Sequence, residues 1–343
     1  VTFVPVAESW LLFSGTLICT VALTWPLRAW LLRQRLLDLP GARRSHQQPT
    51  PRGGGVAILV SLALAWSFWP GAAAAWRQPM MLVILLGLLG WIEDRGEVPR
   101  RLRLVVQLLA ATAFLWLVGG IEAVRVLHVS LAHPWLWSLL GVIAVVWLVN
   151  LYNFMDGSDG LAAAQGLWGG LLVAALFHRA GETALAQMAL AGAGALGGFL
   201  LWNRPPARIF MGDSGSLALG AMMAACAVLG AVSGAFSIWV GFMVSSLFVV
   251  DATATLLCRV IRGERWYTAH RQHAYQRLLD LGLGHGRVLV LYMLINVLLV
   301  LPLVAASLRW PQVDALLAAG LAVILTAGWQ VVQSAAKVNN DKA

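Results

Sequence analysis

The sequence predicts an all-α, polytopic integral membrane protein with about eleven transmembrane helices. Three observations predict it. The 343 residues are 60% hydrophobic and only 11% charged, whereas soluble domains carry about 25% charged residues. Long stretches without Asp, Glu, Lys or Arg recur along the chain, many near the 20 or so residues that a spanning helix needs. Basic residues gather in alternate connections between those stretches, as the positive-inside rule requires.

In chain order the uncharged stretches are 9–27, 53–76, 78–92, 104–121, 126–155, 160–178, 183–203, 214–250, 288–308 and 315–336. The first lacks a basic leader and carries Glu8 nearby, so it is expected to remain as a helix rather than be removed as a signal peptide. The stretch ending at Ile92 is short and is expected to tilt or to be partly exposed. Residues Ile121–Pro134 alternate apolar and polar side chains, which predicts a short extracytoplasmic strand or hairpin. The stretch 214–250 is too long for one helix and is expected to break at Ser233-Gly234. That division gives eleven spans. The polar tail from Asn339 to Ala343 is expected to fray.

Twenty of the 24 basic residues fall on one side: Arg28 to Arg52, Arg95 to Arg103, Arg204, Arg208, Arg259 to Arg287, Lys337 and Lys342. Arg77, Arg125, Arg179 and Arg309 fall on the other. The N-terminus is therefore expected in the periplasm and the C-terminus in the cytoplasm. The net charge of +9 resides in these short loops, with no soluble basic domain of the kind that binds nucleic acid. Cys19, Cys226 and Cys258 have no metal-ligand spacing and read as small buried side chains. No repeat or second domain is evident. The chain reads as one transmembrane catalytic domain, residues 1–343, with its site on the loops 28–55, 93–103, 150–161, 203–216 and 259–287.

Those loops carry the chemistry. Asn150-Leu-Tyr-Asn153-Phe-Met-Asp156-Gly-Ser-Asp159 holds two carboxamides and two carboxylates between apolar segments. Unpaired acids are costly beside hydrocarbon and mark function there by default. Phe210-Met-Gly-Asp213-Ser-Gly-Ser216 is a second acidic turn. Its place at a predicted helix N-terminus suits phosphate as well as a cation; read alone, Asp213 or Ser214 equally suits a helix cap. Glu93, Asp94 and Glu97 share the same face. Clustered oxygen donors suit Mg²⁺, which takes one or two carboxylates plus phosphate oxygens. Asn150 and Asn153, three apart, are expected to turn neutral oxygens toward that ion. Arg43, Arg44 and Arg52 precede Gly53-Gly54-Gly55, a basic, glycine-rich approach that suits an anionic headgroup or nucleotide phosphate as well as plain topology. Asp251, within the ninth span, reads equally as a partner of Arg259 or as a pocket wall. His270-Arg271-Gln272-His273 suits a diphosphate, and no further His or Cys lies near enough for zinc.

These blocks, in this order, resemble the polyprenyl-phosphate N-acetylhexosamine-1-phosphate transferases. The resemblance rests on Pro51-Arg-Gly-Gly-Gly55, Glu93-Asp94, Asn150–Leu161, Asn203–Ser216, Asp251-Ala-Thr253 and the histidine loop, and it covers most of the chain. It implies that undecaprenyl phosphate attacks the β-phosphorus of a UDP-N-acetylaminosugar and releases UMP at the cytoplasmic face of a bacterial inner membrane. It implies Asp213 and Asn153 as ligands of Mg²⁺ or Mn²⁺. Glu93 and Asp94 match the acidic pair held to position or deprotonate the lipid phosphate. Asp156 and Asp159 match acids needed for activity. Phe210 matches the position that stacks on uracil, and Asn203 a nucleotide contact. His270, Arg271 and His273 match the loop that meets diphosphate or sugar, with Arg52 as a further substrate contact. Several family members are dimers, so a homodimer is compatible, although no segment here shows a dimer face.

Two departures stand out. Glu93-Asp94 replaces the usual Asp-Asp, and a phosphate monoester with its second pKa near 6 needs little help to ionise. His270-Arg-Gln-His273-Ala-Tyr replaces a tighter histidine cluster, which resembles a branch that initiates O-antigen or capsule synthesis with 6-deoxy sugars such as N-acetylfucosamine or N-acetylquinovosamine. The alternative class is a secondary transporter with an acidic cytoplasmic gate. Transporters place ionisable groups near midplane in repeated halves, whereas here the acids sit at span ends without a repeat.

Overall fold

The computed structural model describes residues 6–39, 49–96, 98–265, 268 and 270–340. Arg43, Arg44, Glu97 and the last three residues lie outside that set. The described residues are predominantly helical, with helices α1 (Val6–Arg33), α2 (Gly55–Phe68), α3 (Ala72–Ala75), α4 (Arg77–Arg95), α5 (Arg100–Leu117), α6 (Pro134–Met155), α7 (Leu161–Arg179), α8 (Thr183–Asn203), α9 (Gly212–Val232) and α10 (Ile238–Ile261). The short α11 (Ala274–Asp280) follows, then α12 (His285–Ile295), α13 (Leu301–Arg309) and α14 (Asp314–Asn340). A π-helical turn, Asn296–Val300, joins α12 to α13. Two small antiparallel pairs complete the fold: β1 (Leu37–Asp38) with β2 (Thr50–Pro51), and β3 (Val124–Val126) with β4 (Val129–Leu131).

Eight of the described helical segments are long and apolar enough to cross a membrane. The helix α2 falls outside that set at 14 residues. Charges at one end exclude α4 and α5, namely Glu93-Asp94-Arg95 and Arg100-Arg101-Arg103. The chain is thus a multi-pass membrane protein. Several expected boundaries shift for local reasons. The helix expected across 53–76 stops at Phe68, because Trp69 precedes Pro70 and that position disfavours helical backbone. Trp69 is extended, and Gly71, at φ +79°, turns the chain into α3. The hairpin β3–β4 occupies the alternating segment, and Pro134 starts α6 at a position that tolerates its missing N–H. The long apolar stretch 214–250 breaks between Val232 and Ile238, where Gly234 takes positive φ and Ser237 caps α10 by accepting from the Val240 N–H at 3.3 Å.

Small residues let the helices approach closely, as they must where lipid supplies no hydrophobic drive. A Cβ on Gly194 or Gly198, four apart on α8, would run into the α1 carbonyls of Phe13 and Leu17. A Cβ on Gly220 of α9 would meet Val149 of α6. The first turn of α9 is the most enclosed: Gly55 of α2 abuts Gly215, and Gly90 of α4 abuts the carbonyl of Asp213. Three glycines therefore draw α2, α4 and α9 together at the end where the acidic loops converge.

Several interior polar groups pair across helices. Tyr152 Oη and Ser245 Oγ are 3.0 Å apart. Gln165 donates to the Val244 carbonyl at 3.1 Å and accepts from Asn296 at 2.7 Å. Asn296 lies in the π-helical turn, so that irregularity aims an amide at α7. Replacing Gly90 by Ala is expected to cost about 1–3 kcal/mol through overpacking. Its thermal midpoint in detergent should fall, while Gly320→Ala, whose new methyl meets open space, should leave the midpoint unchanged or raised.

Candidate active site

The site begins with a buried carboxylate. Asp94, at the last turn of α4, accepts from the backbone N–H groups of Asp213 at 2.8 Å and Ser214 at 3.0 Å. The first amides of a helix lack intrahelical partners and carry partial positive charge, so Asp94 caps α9 from a neighbouring helix. Gly212 has φ +75°, and a Cβ there would strike the Asp94 carboxylate. The same carboxylate accepts from Arg52 Nε at 2.9 Å, and Arg52 Nη2 reaches Asp213 Oδ2 at 2.7 Å. Arg52 is aimed by its backbone: Phe210 N–H donates to the Pro51 carbonyl, and Gly53 and Gly54 donate to the Phe210 carbonyl. The expectation that the α9 amides are open to a phosphate is therefore revised, because two of them are already engaged by Asp94.

A second network fixes Asn153. Its amide nitrogen donates to Asp213 Oδ1 at 2.7 Å and Ser216 Oγ at 2.8 Å. Its oxygen accepts from Arg103 Nη2 at 3.1 Å, which also serves the Asn150 oxygen at 3.0 Å. Arg103 Nη1 pairs with Glu93 Oε1 at 3.1 Å, and Asn150 donates to Gln107 at 2.8 Å. The two asparagines do share a face, as their spacing implies, but both oxygens turn to Arg103. A half-turn of the Asn153 amide would exchange its nitrogen for its oxygen beside Asp213. Arg103 and Gln107 read in the sequence only as a topology charge and a helix polar group, and no sequence signal marks them as partners of the asparagines.

Above these networks lies a cavity of about 220 Å³. It is lined by Arg52, Asn153, Asp156, Asp213, Phe210 and Gln276, among others. Asp159, Asn203 and Arg271 also face it, as do Asp38 and Ser158, which the sequence did not single out. Glu93 and Asp94 do not line it; they lie in the networks beneath. Asp159 accepts from the Ala207 N–H at 2.9 Å and stands 3.8 Å from His285, so it ties the loop before α9 to α12. Asn203 accepts from the Gly160 N–H and donates to the Ile209 carbonyl, which leaves it joining two cavity loops. Asp156 accepts no hydrogen bond from the described residues. Burial holds its carboxyl well above the ordinary 3.8; Arg52 offsets part of this, while Asp213, Asp94 and Asp159 add to it.

The α10–α11 connection closes one side. Asp251 is buried and accepts from the N–H groups of Ala274 at 2.7 Å and Tyr275 at 3.3 Å and from Tyr292 Oη at 2.9 Å. It therefore anchors α11 instead of pairing with Arg259, which binds Glu264 at 2.7 Å. Asp251 also forms part of a separate groove among α10, α12 and α14. His273 is buried and stacks between Phe154 and Tyr275 at centroid distances of 6.3 and 5.9 Å. His270 packs on it at 4.9 Å, and burial, with His273 and Arg259 nearby, lowers its pKa to about 4. Neither histidine lines the cavity. His270 is uncharged at neutral pH and brings no positive charge toward a phosphate. Arg271, 2.8 Å from Asp280, is the member of the predicted trio that reaches the cavity wall.

The donor set fits a hard divalent cation. Four carboxylates, Asp38, Asp156, Asp159 and Asp213, line the cavity against two guanidinium groups. Burial makes Asp156 hold its proton more tightly than an ordinary carboxyl, and a cation would compete for that position. No trio of His, Cys, Asp and Glu among the described residues forms a preassembled cage. Mg²⁺ needs none, since it uses few protein carboxylates and completes its shell with substrate oxygens and water.

The glycosyl transferase family 4 profile matches residues 76–231, which span α4, α5, α6, α7, α8 and α9. The chain is 33% identical over 271 residues to a phospho-N-acetylmuramoyl-pentapeptide-transferase of Synechococcus sp. (strain RCC307), covering 70% of this chain and 72% of that one. It is 26% identical over 294 residues to a probable undecaprenyl-phosphate N-acetylglucosaminyl 1-phosphate transferase of Bacillus subtilis (strain 168), covering 82% and 80%. It is 29% identical over 337 residues to a decaprenyl-phosphate N-acetylglucosaminephosphotransferase of Mycobacterium tuberculosis, covering 86% and 81%. The chain belongs to glycosyl transferase family 4, the polyprenyl-phosphate N-acetylhexosamine-1-phosphate transferases.

Proposed function

We propose that this protein transfers an N-acetylaminosugar 1-phosphate from a UDP-sugar to undecaprenyl phosphate. The observation that carries the reading is the acid-lined cavity, where Arg52, Asn153, Asp156, Asp213 and Phe210 from three separate segments of the chain meet beside an apolar bundle. A lipid phosphate oxygen attacks the β-phosphorus, the bond from that phosphorus to the bridging oxygen breaks, and UMP leaves with the oxygen. The product is a polyprenyl-diphospho-sugar. The relatives' names support a polyprenyl phosphate acceptor. Distribution of the basic residues supports eleven spans, a periplasmic N-terminus and a site facing the cytoplasm of a bacterial inner membrane. Initiation of O-antigen or another surface polysaccharide, with GlcNAc or a 6-deoxy amino sugar, is the role that the altered histidine loop supports.

Asp213 and Asp156, with the Asn153 oxygen after an amide turn, are the groups that would hold Mg²⁺. When bound, the ion supplies charge neutralisation at the diphosphate. Arg52 contributes a positive charge beside the same oxygens, and Phe210 offers a face for the uracil. Asp94 acts by holding Arg52 and the first turn of α9. A lipid phosphate is largely dianionic above its second pKa near 6, so positioning carries more of the work than proton removal.

The test is UMP release by purified protein with undecaprenyl phosphate across a panel of UDP-N-acetylaminosugars. One donor should be turned over, and Asp213→Ala should lower its rate about a thousandfold or more, the loss of several kcal/mol of charge stabilisation. Retained turnover in that variant would remove Asp213 from the site.

Asp94→Asn distinguishes holding from base catalysis. The lost charge-assisted bonds should cost about 1.5–3 kcal/mol, seen as a lower thermal midpoint, and raising the pH to 9 should not restore activity. Recovery at pH 9, where the acceptor is fully ionised, would assign Asp94 as the base instead.

Asp156 gives a pH signature. The folded protein holds its proton more tightly than the unfolded chain, so stability is greatest below the ordinary carboxylate value and falls as pH rises toward the raised one. In chelator-treated protein the thermal midpoint should drop through that window, and Asp156→Asn should flatten the drop. Mg²⁺ should restore stability on the alkaline side in the wild type only.

A further inference from the structure

Three carboxamides line the cavity: Asn153, Asn203 and Gln276. Asn203 spends its oxygen on the Gly160 N–H and its nitrogen on the Ile209 carbonyl. Asn153 spends its nitrogen on Asp213 and Ser216 and its oxygen on Arg103. Gln276 differs. Its oxygen accepts from the His273 N–H at 3.3 Å, and its nitrogen interacts with the Tyr275 hydroxyl. A primary amide has two N–H donors, so one is left for the cavity.

The frame around this amide is rigid. Asp251 holds the amides of Ala274 and Tyr275, and Tyr275 Oη donates to the Phe154 carbonyl at 3.2 Å. A Cβ on Gly157 would meet that hydroxyl, so α11 sits directly on the Asp156-Gly157 turn. Donor groups held this way lose little entropy on binding. The charged lining residues, Arg52, Arg271 and the four aspartates, suit phosphate and cation. A neutral donor suits a neutral oxygen.

Resting on the transferase reading above, we propose that Gln276 is a specificity-determining residue: its amide N–H donates to the acetamido carbonyl of the donor sugar. The histidines of the same loop are framework, buried in the aromatic stack behind it.

The test uses the full chain in detergent with undecaprenyl phosphate and Mg²⁺. It compares kcat/KM for the preferred UDP-N-acetylaminosugar with that for the same sugar carrying a hydroxyl at C2. UDP affinity is measured alongside, by the shift in thermal midpoint. Gln276→Leu should lower kcat/KM for the acetamido donor about tenfold, mainly through KM, and leave the hydroxyl donor within about twofold. The preference between them then shrinks, while the UDP shift is retained. An unchanged preference in Gln276→Leu would overturn the assignment, as would an equal loss of UDP affinity, which marks a structural or nucleotide role. Wild-type protein that transfers no sugar phosphate from any donor would overturn the transferase reading and this proposal together. An active wild type with an unchanged preference in the variant would overturn this proposal alone.

Discussion

The carboxylate of Asp94 is the point on which the site turns. It is almost wholly withdrawn from solvent, with its side chain 1% exposed, a costly place for a charge without partners. Two helix N-terminal amides and the Arg52 guanidinium supply those partners. The arrangement joins α4, α9 and the glycine-rich approach to α2 at one end of the bundle. It also presents Asp213 and Arg52 side by side at the cavity. Removing one member of such a buried set leaves the others uncompensated, so binding groups and fold are coupled here.

That coupling needs close helix contacts. Gly55, Gly90 and Gly215 leave no room for a side chain where α2, α4 and α9 meet. The same principle seats α1 on Gly194 and Gly198 of α8. Around this frame the loops supply different functions. The α6–α7 loop brings Asp156, the α8–α9 loop brings Phe210, the α10–α11 loop brings Arg271 and α11 itself brings Gln276. Asp159, Asn203 and Asp251 bind these loops to one another through backbone groups. Their conspicuous polarity beside a membrane has a structural use in the first instance.

The fold class was legible because hydrocarbon imposes length and composition on every spanning helix. The hairpin at 124–131 and the break after Val232 were legible from alternation and from Ser233-Gly234. The stop at Phe68 was readable from Trp69-Pro70 but is hidden inside an uncharged stretch. The π-helical turn at Asn296–Val300 lies just before Pro302, which cannot donate an N–H to the helix, but its pairing of Asn296 with Gln165 across helices has no local signature. Asp156, Asp213, Asn153 and Arg52 were identifiable as candidates from their types and loops. Their partners were not. Arg103 looks like any cytoplasmic arginine, Gln276 like any polar residue in a short helix, and nothing local shows that Asp94 lies beneath the cavity while Arg271 lies at its wall. Those facts are set by tertiary packing between segments far apart in the chain.

If the cavity transfers a sugar phosphate, the bond that breaks is the phosphoanhydride and not the glycosidic bond. A donor labelled with ³²P at its β-phosphorus tests this most directly. Sugar-phosphate transfer moves the label entirely into the organic-soluble lipid product while unlabelled UMP is released. Label retained in water-soluble UDP, with unlabelled sugar on the lipid, would contradict it.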